Sequence, residues 1–144
     1  MQRSATAVWH GTGKEGSGTL DTQSGVLRSH PYSSKTRFED EEGRAGTNPE
    51  ELIAAAHAGC FTMQLSFILA AAGHTPEELK TQALVTLERI DGKQTISKIA
   101  LLLDAKVPGV SDADFQRIAA EAKAGCPVSR ALNVEITLEA KLTG

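Results

Sequence analysis

The sequence has no glycine-rich phosphate loop, no serine triad, no run of Cys and His at structural-zinc spacing, and only two cysteines. Phosphate-loop chemistry, serine hydrolysis and a structural metal therefore have no basis in its motifs. The net charge of −3 leaves no electrostatic footprint for nucleic acid or an anionic membrane surface. Met1 to His10 lacks the uninterrupted apolar run of a signal peptide. The most apolar stretch, Leu52 to Ala72, is interrupted by His57, Gln64 and Ser66, as expected of a buried helix rather than a membrane span. The expectation is a soluble, cytoplasmic protein with no nucleic-acid or membrane partner, in which thiols stay reduced unless catalysis oxidises them.

Hydrophobic residues at 40% and charged residues at 23% exclude disorder, and 144 residues suffice for one domain, 1–144, with a core of its own. The first part reads as short strands and turns: Thr6–Trp9, then a Gly-rich turn from Gly11 to Gly18, then Gly18–Asp21 and Gly25–Leu27. Pro31–Phe38 reads as a further extended segment, and Asp40–Gly46 as a charged loop. Asn48 as N-cap, Pro49 at the first helical position and Glu51 as capping-box partner open a long helix that Gly73 stops. Apolar residues surround its axis, as in a central buried helix. Asp91-Gly92 joins two strands in a hairpin, Ser111 with Asp114 caps a second helix ending near Gly125, and Val134–Leu142 alternates apolar and polar residues. The order predicts an α+β fold with antiparallel sheets packed around two main helices.

The chemistry concentrates at Cys60 and Cys126. A thiol attacks only as thiolate, and its ordinary pKa is about 8.5. Cys60 lies eleven residues beyond Pro49, outside the first turn where a helix dipole acts, and burial raises its pKa. Activation therefore requires a cation from elsewhere: His57 one turn earlier, or Arg37 or Arg44 before the helix. An inert core cysteine is the alternative. Cys126 follows one helix and precedes Pro127, which can open a further helical turn over Val128–Ala131; the two dipoles then act on it in opposite senses. His57 is either a base or a packed residue. Glu50 and Glu51 suit a helix's first turn, and Cys60, Cys126, His57 and His74 lack zinc spacing.

Thr36-Arg-Phe-Glu39, Gly46-Thr-Asn-Pro-Glu-Glu-Leu52, Ala55-Ala-His-Ala-Gly-Cys-Phe61 and Lys123-Ala-Gly-Cys-Pro-Val-Ser129 together resemble the OsmC (osmotically inducible protein C) family of peroxidases. Val107–Val110 and Ala7-Val-Trp9 extend the match over essentially the whole chain. The resemblance implies an OsmC-like fold and an intertwined homodimer with two active sites at the subunit interface. It implies a thiol-dependent reductase of organic hydroperoxides, acting in oxidative and osmotic stress defence. Cys60 would be the peroxidatic residue and Cys126 the resolving one. Arg37 would hold the thiolate and polarise the peroxide, and Glu50 would orient Arg37 and accept the thiol's hydrogen bond. The related Ohr (organic hydroperoxide resistance) branch takes its arginine from an N-terminal Gly-rich loop; here that loop carries Lys14, which places the chain on the OsmC side.

Under that resemblance Cys60 is oxidised to sulfenic acid and Cys126 closes a disulfide, which a dithiol such as a lipoylated protein reopens. Neither metal, haem nor flavin is needed. Phe38 and Phe61 would line an apolar pocket for the peroxide, with hydrogen peroxide also a substrate. Glu50 and Cys60 are ten residues apart, about 15 Å along a straight helix. Either Arg37 and Glu50 reach Cys60 of the other subunit, or the helix bends near Gly59. Two rivals remain: a Cys60–His57 hydrolase in which Cys126 is dispensable, and a dimeric ligand-binding or stress protein with unreactive thiols.

Overall fold

Three short strands begin the chain: β1 (Ala5–His10), β2 (Ser17–Thr22) and β3 (His30–Ser33). They form an antiparallel sheet in the order β1-β2-β3, with Ala5 opposite Thr22 and Ser17 opposite Ser33. Glycine is required at position 18, because a Cβ there would strike the Val8 carbonyl and crowd the Trp9 and Tyr32 rings. Those rings pack edge to face, with centroids 5.3 Å apart. In this computed structural model, which describes residues 1–143, the chain divides into two compact units, Met1–Leu52 and Ile53–Gly144.

Two expectations for the first unit need correction. Gly25–Leu27 is not a strand: the Gly25 N–H bonds the Thr22 carbonyl at 2.9 Å and Gly25 takes φ 78°, which makes the segment a turn. The extended reading of Pro31–Phe38 holds only to Ser33, after which Lys35–Glu39 forms a single π-helical turn. Side chains close that turn: the Thr36 N–H donates to Ser33 Oγ (3.2 Å) and the Ser33 N–H to Thr36 Oγ1 (3.0 Å). Such local side-chain bonds compete successfully with a strand ladder.

The long helix α1 spans Pro49–Ala71. The Glu51 N–H donates to Asn48 Oδ1 at 2.8 Å, so the expected N-cap forms. The return half of the capping box does not, since the Glu51 carboxylate accepts from Thr47 Oγ1 instead. Gly73, with φ 86°, ends the helix, and the His74 N–H closes on the Leu69 carbonyl. By length and composition α1 is apolar enough to cross a membrane, yet Phe61, Leu65 and Leu69 are fully buried in the protein's own core.

The expected all-round burial of α1 is not found within one chain. Its buried stripe at fourfold spacing, His57, Phe61, Leu65 and Leu69, has an outer counterpart in which Met63 is 62% and Phe67 is 67% exposed. The sheet and second helix of the same unit cover one side of α1 and leave the other open.

Strands β4 (Glu78–Ile90) and β5 (Lys93–Lys106) form the expected hairpin. They turn at Asp91-Gly92, both at positive φ (50° and 76°), as a two-residue hairpin requires. Helix α2 (Asp112–Gly125) starts where expected, with Ser111 Oγ accepting the Asp114 N–H, and a short helix α3 (Pro127–Ala131) follows. Strand β6 (Glu135–Leu142) alternates exposed and half-buried residues.

β6 pairs with β5 in parallel, so the second sheet is mixed rather than antiparallel. The reason is connectivity: α2 and α3 carry the chain back to the far end of the sheet, and a strand entered after a helical crossover runs parallel to the one it left. Ile99, Leu101, Leu103 and Ala105 of β5 join Phe115, Ile118, Ala119 and Ala122 of α2 and the α1 stripe in one core. The α+β class stands, and Cys126 sits at the edge of that core, fully buried.

Candidate active site

Two groups of side chains carry the chemistry, one in each unit. In the first, the π turn lies against the segment leading into α1, because Thr36 Oγ1 bonds the Thr47 carbonyl at 3.2 Å. Arg37 leaves that turn toward Glu50, in the first turn of α1. Arg37 Nη2 donates to Glu50 Oε1 at 2.7 Å, and Nε lies 3.2 and 3.3 Å from the two carboxylate oxygens. The carboxylate is nearly buried (10% exposed) and the guanidinium less so (35%). Glu50 thus holds the arginine's orientation while its remaining N–H groups stay free to receive a ligand. A cavity of about 370 Å³ opens beside Arg37, lined by Trp9, Lys14, Tyr32 and Phe38. Phe38 lines this cavity. Phe61 does not, because it is fully buried in the core and lines no accessible surface.

In the second unit, Cys60 and Cys126 are free thiols with sulfurs 2.9 Å apart, although 66 residues separate them in the chain. Cys60, on α1, is half-buried; Cys126, at the α2–α3 junction, is fully buried. The junction forms as anticipated: the Cys126 N–H bonds the Ala122 carbonyl, and Pro127 opens α3. Burial pushes the Cys60 thiol up and the adjacent Cys126 sulfur adds to this, opposed only by the Val128 N–H. Burial also acts upward on Cys126, but the Cys60 thiol, the amide and hydroxyl of Ser129 and the Val128 amide outweigh it and hold its pKa down. The α3 amides act here as oriented dipoles, since the sulfur makes no regular cap bond to them. Cys60 thus still needs an external cation.

His57 does not supply one. It is fully buried, its Nε2 lies 2.7 Å from Ser129 Oγ, and its Nδ1 has no partner. No Cys60–His57 dyad forms, which removes the basis for a hydrolase. Among the described residues no group of three His, Cys, Asp or Glu side chains is arranged to hold a metal.

Residues 40–141 match the family described as OsmC-like protein. The chain is 49% identical to Peroxiredoxin OsmC of Escherichia coli (strain K12) over 142 residues, covering 99% of this chain and 97% of the relative. The chain belongs to the OsmC-like protein family. Organic hydroperoxide resistance protein OhrA of Bacillus subtilis (strain 168) is 34% identical over 95 residues, 65% of this chain and 66% of that protein. The fold is that of an OsmC-like protein from Mycoplasma pneumoniae, with a TM-score of 0.77 at 15% identity, covering 100% of this chain and 99% of the other.

Within this OsmC-like chain, the sequence singled out both cysteines, Arg37 and Glu50, and the structure pairs them two by two. α1 is continuous through Gly59, so the ten residues between Glu50 and Cys60 span about 15 Å of helix. Sequence reasoning missed Ser129, whose only signal is its place three residues after Cys126 at the start of a helical turn. Burial pushes the His57 imidazole below its ordinary 6.5. A folded pKa below the unfolded one means that the unfolded chain takes up the proton first as pH falls. Stability present above about pH 6.5 is then lost below it, by up to about 1.4 kcal/mol per pH unit. The urea midpoint is expected to fall between pH 7.5 and 5.5 and to fall less in His57→Gln; a midpoint that rises on acidification contradicts a neutral buried imidazole.

Proposed function

We propose that this OsmC-like protein is a cysteine-based peroxidase that reduces organic hydroperoxides, and hydrogen peroxide, in oxidative and osmotic stress defence. The observation that carries the reading is the pair of free thiols 2.9 Å apart, one half-exposed and one buried. The relative named peroxiredoxin, at 49% identity over nearly the full chain, supports it.

The Cys60 thiolate attacks the distal oxygen of the peroxide; the O–O bond breaks and the departing alkoxide takes up a proton to leave as alcohol. Arg37 stabilises the charge on that leaving oxygen, and Glu50 keeps the guanidinium aimed. Cys60 is then a sulfenic acid. Cys126 attacks its sulfur, the S–O bond breaks, water leaves and the Cys60–Cys126 disulfide forms. A dithiol, such as the dihydrolipoyl group of a lipoylated protein, reopens it by exchange.

Arg37 and Glu50 serve Cys60 of a second copy of the chain, because one unbroken helix holds a chain's own Glu50 away from its Cys60. The exposed outer stripe of α1, with Met63 and Phe67, supports an intertwined homodimer with active sites at the interface. Each subunit acts as one domain over 1–144, and the enzyme is soluble and cytoplasmic.

Mixing reduced protein with an organic hydroperoxide and counting free thiols tests this directly. Two thiols lost per chain for each equivalent of peroxide is the expected stoichiometry. Two unreacted thiols after excess peroxide refute the reading.

A further inference from the structure

The peroxidase reading leaves one buried polar group without a role. His57 is fully enclosed, yet a core position on α1 would be better served by leucine than by an imidazole with one unpartnered nitrogen. Its single bond, 2.7 Å to Ser129 Oγ, spans 72 residues and ties the middle of α1 to the α3 turn that begins at Cys126.

The orphan nitrogen fixes the tautomer. With the proton on Nδ1, the protein would bury an N–H that has no acceptor; with it on Nε2, only a lone pair goes unpaired. Orphaned buried N–H groups are the rarer of the two. The proton therefore sits on Nε2 and is donated to Ser129 Oγ, which leaves the serine's own hydroxyl proton available to another acceptor. The Cys126 sulfur, at the N-cap of the α3 turn that carries Ser129, gains negative charge during turnover.

We infer that His57 and Ser129 are positioning residues for Cys126: His57 anchors the Ser129 hydroxyl at the start of α3 so that its O–H serves the Cys126 sulfur whenever that sulfur carries charge. This rests on the peroxidase reading for its place in the cycle. Charge is present on Cys126 twice. It attacks the Cys60 sulfenic acid as thiolate, forming S–S, breaking S–O and releasing hydroxide that leaves as water with the proton given up by Cys126. It is again the departing thiolate if the incoming dithiol attacks Cys60 of the disulfide. Ser129 keeps its proton throughout and only redirects its hydrogen bond, and His57 stays neutral.

Stopped-flow pulses of an organic hydroperoxide separate the steps, with sulfenic acid trapped by a dione reagent and disulfide closure followed by free thiols. In Ser129→Ala, peroxide attack keeps its rate while closure slows about threefold at pH 7, because a tenfold smaller thiolate population is half offset by higher nucleophilicity. Sulfenic acid then accumulates. Above the thiol's titration range, where both proteins are fully ionised, the variant overtakes wild type by about threefold, which a loosened loop alone would not produce. Ser129→Thr, which keeps the hydroxyl, restores closure, and so does His57→Gln, whose amide can donate along the same line.

A peroxide-free measurement stands beside this. Titrating thiolate absorbance in Cys60→Ser should give a Cys126 midpoint that moves upward when Ser129→Ala is added. Closure at the wild-type rate, slowing that is equal at every pH, or an unmoved Cys126 midpoint overturns the assignment. If wild type itself consumes no peroxide, the peroxidase reading fails, and the titration still decides whether Ser129 serves Cys126.

Discussion

Cys60→Ser is expected to lose hydroperoxide reduction altogether, measured as peroxide consumption coupled to a dithiol reductant. A serine hydroxyl does not ionise near neutral pH, so no nucleophile remains where the peroxide arrives. Cys126→Ser is expected to behave differently: one equivalent of peroxide is consumed per chain in a burst, sulfenic acid can be trapped on Cys60, and recycling by dithiol falls sharply. The physical competitor is a reversal of roles, because Cys126 and not Cys60 has the lowered pKa. Access decides against it. The Cys126 sulfur is fully enclosed while Cys60 is only half-buried, and an acidic thiol that peroxide cannot reach does not act first. A burst retained in Cys60→Ser and lost in Cys126→Ser would show that acidity outweighs access.

Arg37→Met is expected to lower kcat/KM by about 10²–10³, the loss seen when one preorganised donor to a developing oxyanion is removed. Arg37→Lys should recover little, since an ammonium cannot reproduce the fork that Glu50 grips at 2.7–3.3 Å. Glu50→Gln should fall between wild type and Arg37→Met, as it leaves the cation present but poorly aimed. Subunit mixing shows where Arg37 acts. Refolding Arg37→Met chains with Cys60→Ser chains should restore activity to about a quarter of wild type if each site draws Arg37 from the other subunit, because half the dimers are mixed and hold one intact site. A mixture as inactive as its components places Arg37 and Cys60 of one chain in the same site.

Local chemistry made much of the fold legible. Asn48, Ser111 and Asp91-Gly92 act through bonds spanning two or three residues, so their N-caps and turn formed as read, although the Glu51 return bond of the capping box did not. The alternation over β6 was equally plain, but a period of two tells which side chains face the core and not which way a neighbouring strand runs. The parallel pairing of β5 and β6 was therefore missed. Gly25–Leu27 failed for the opposite reason: its residues suit a strand, while backbone bonds from Thr22 and a left-handed Gly25 close a turn first. Phe61 was placed in a pocket because aromatic character alone does not distinguish a pocket wall from a core.

The sequence by itself determined the helix starts, the hairpin, the α+β class and, through motifs around both cysteines, the OsmC-like family and its four candidate site residues. These depend on residue identity and on neighbours close along the chain. Only the tertiary structure decided that Cys60 and Cys126 meet at 2.9 Å, that Arg37 is clamped by Glu50, and that His57 is committed to Ser129 rather than to Cys60. Those contacts join residues 13 to 72 positions apart. Whether a buried thiol, imidazole or carboxylate is inert or poised depends on what packing places beside it. Hydrogen bonds and ion pairs act over a few ångströms, and only the folded chain establishes distances of that size.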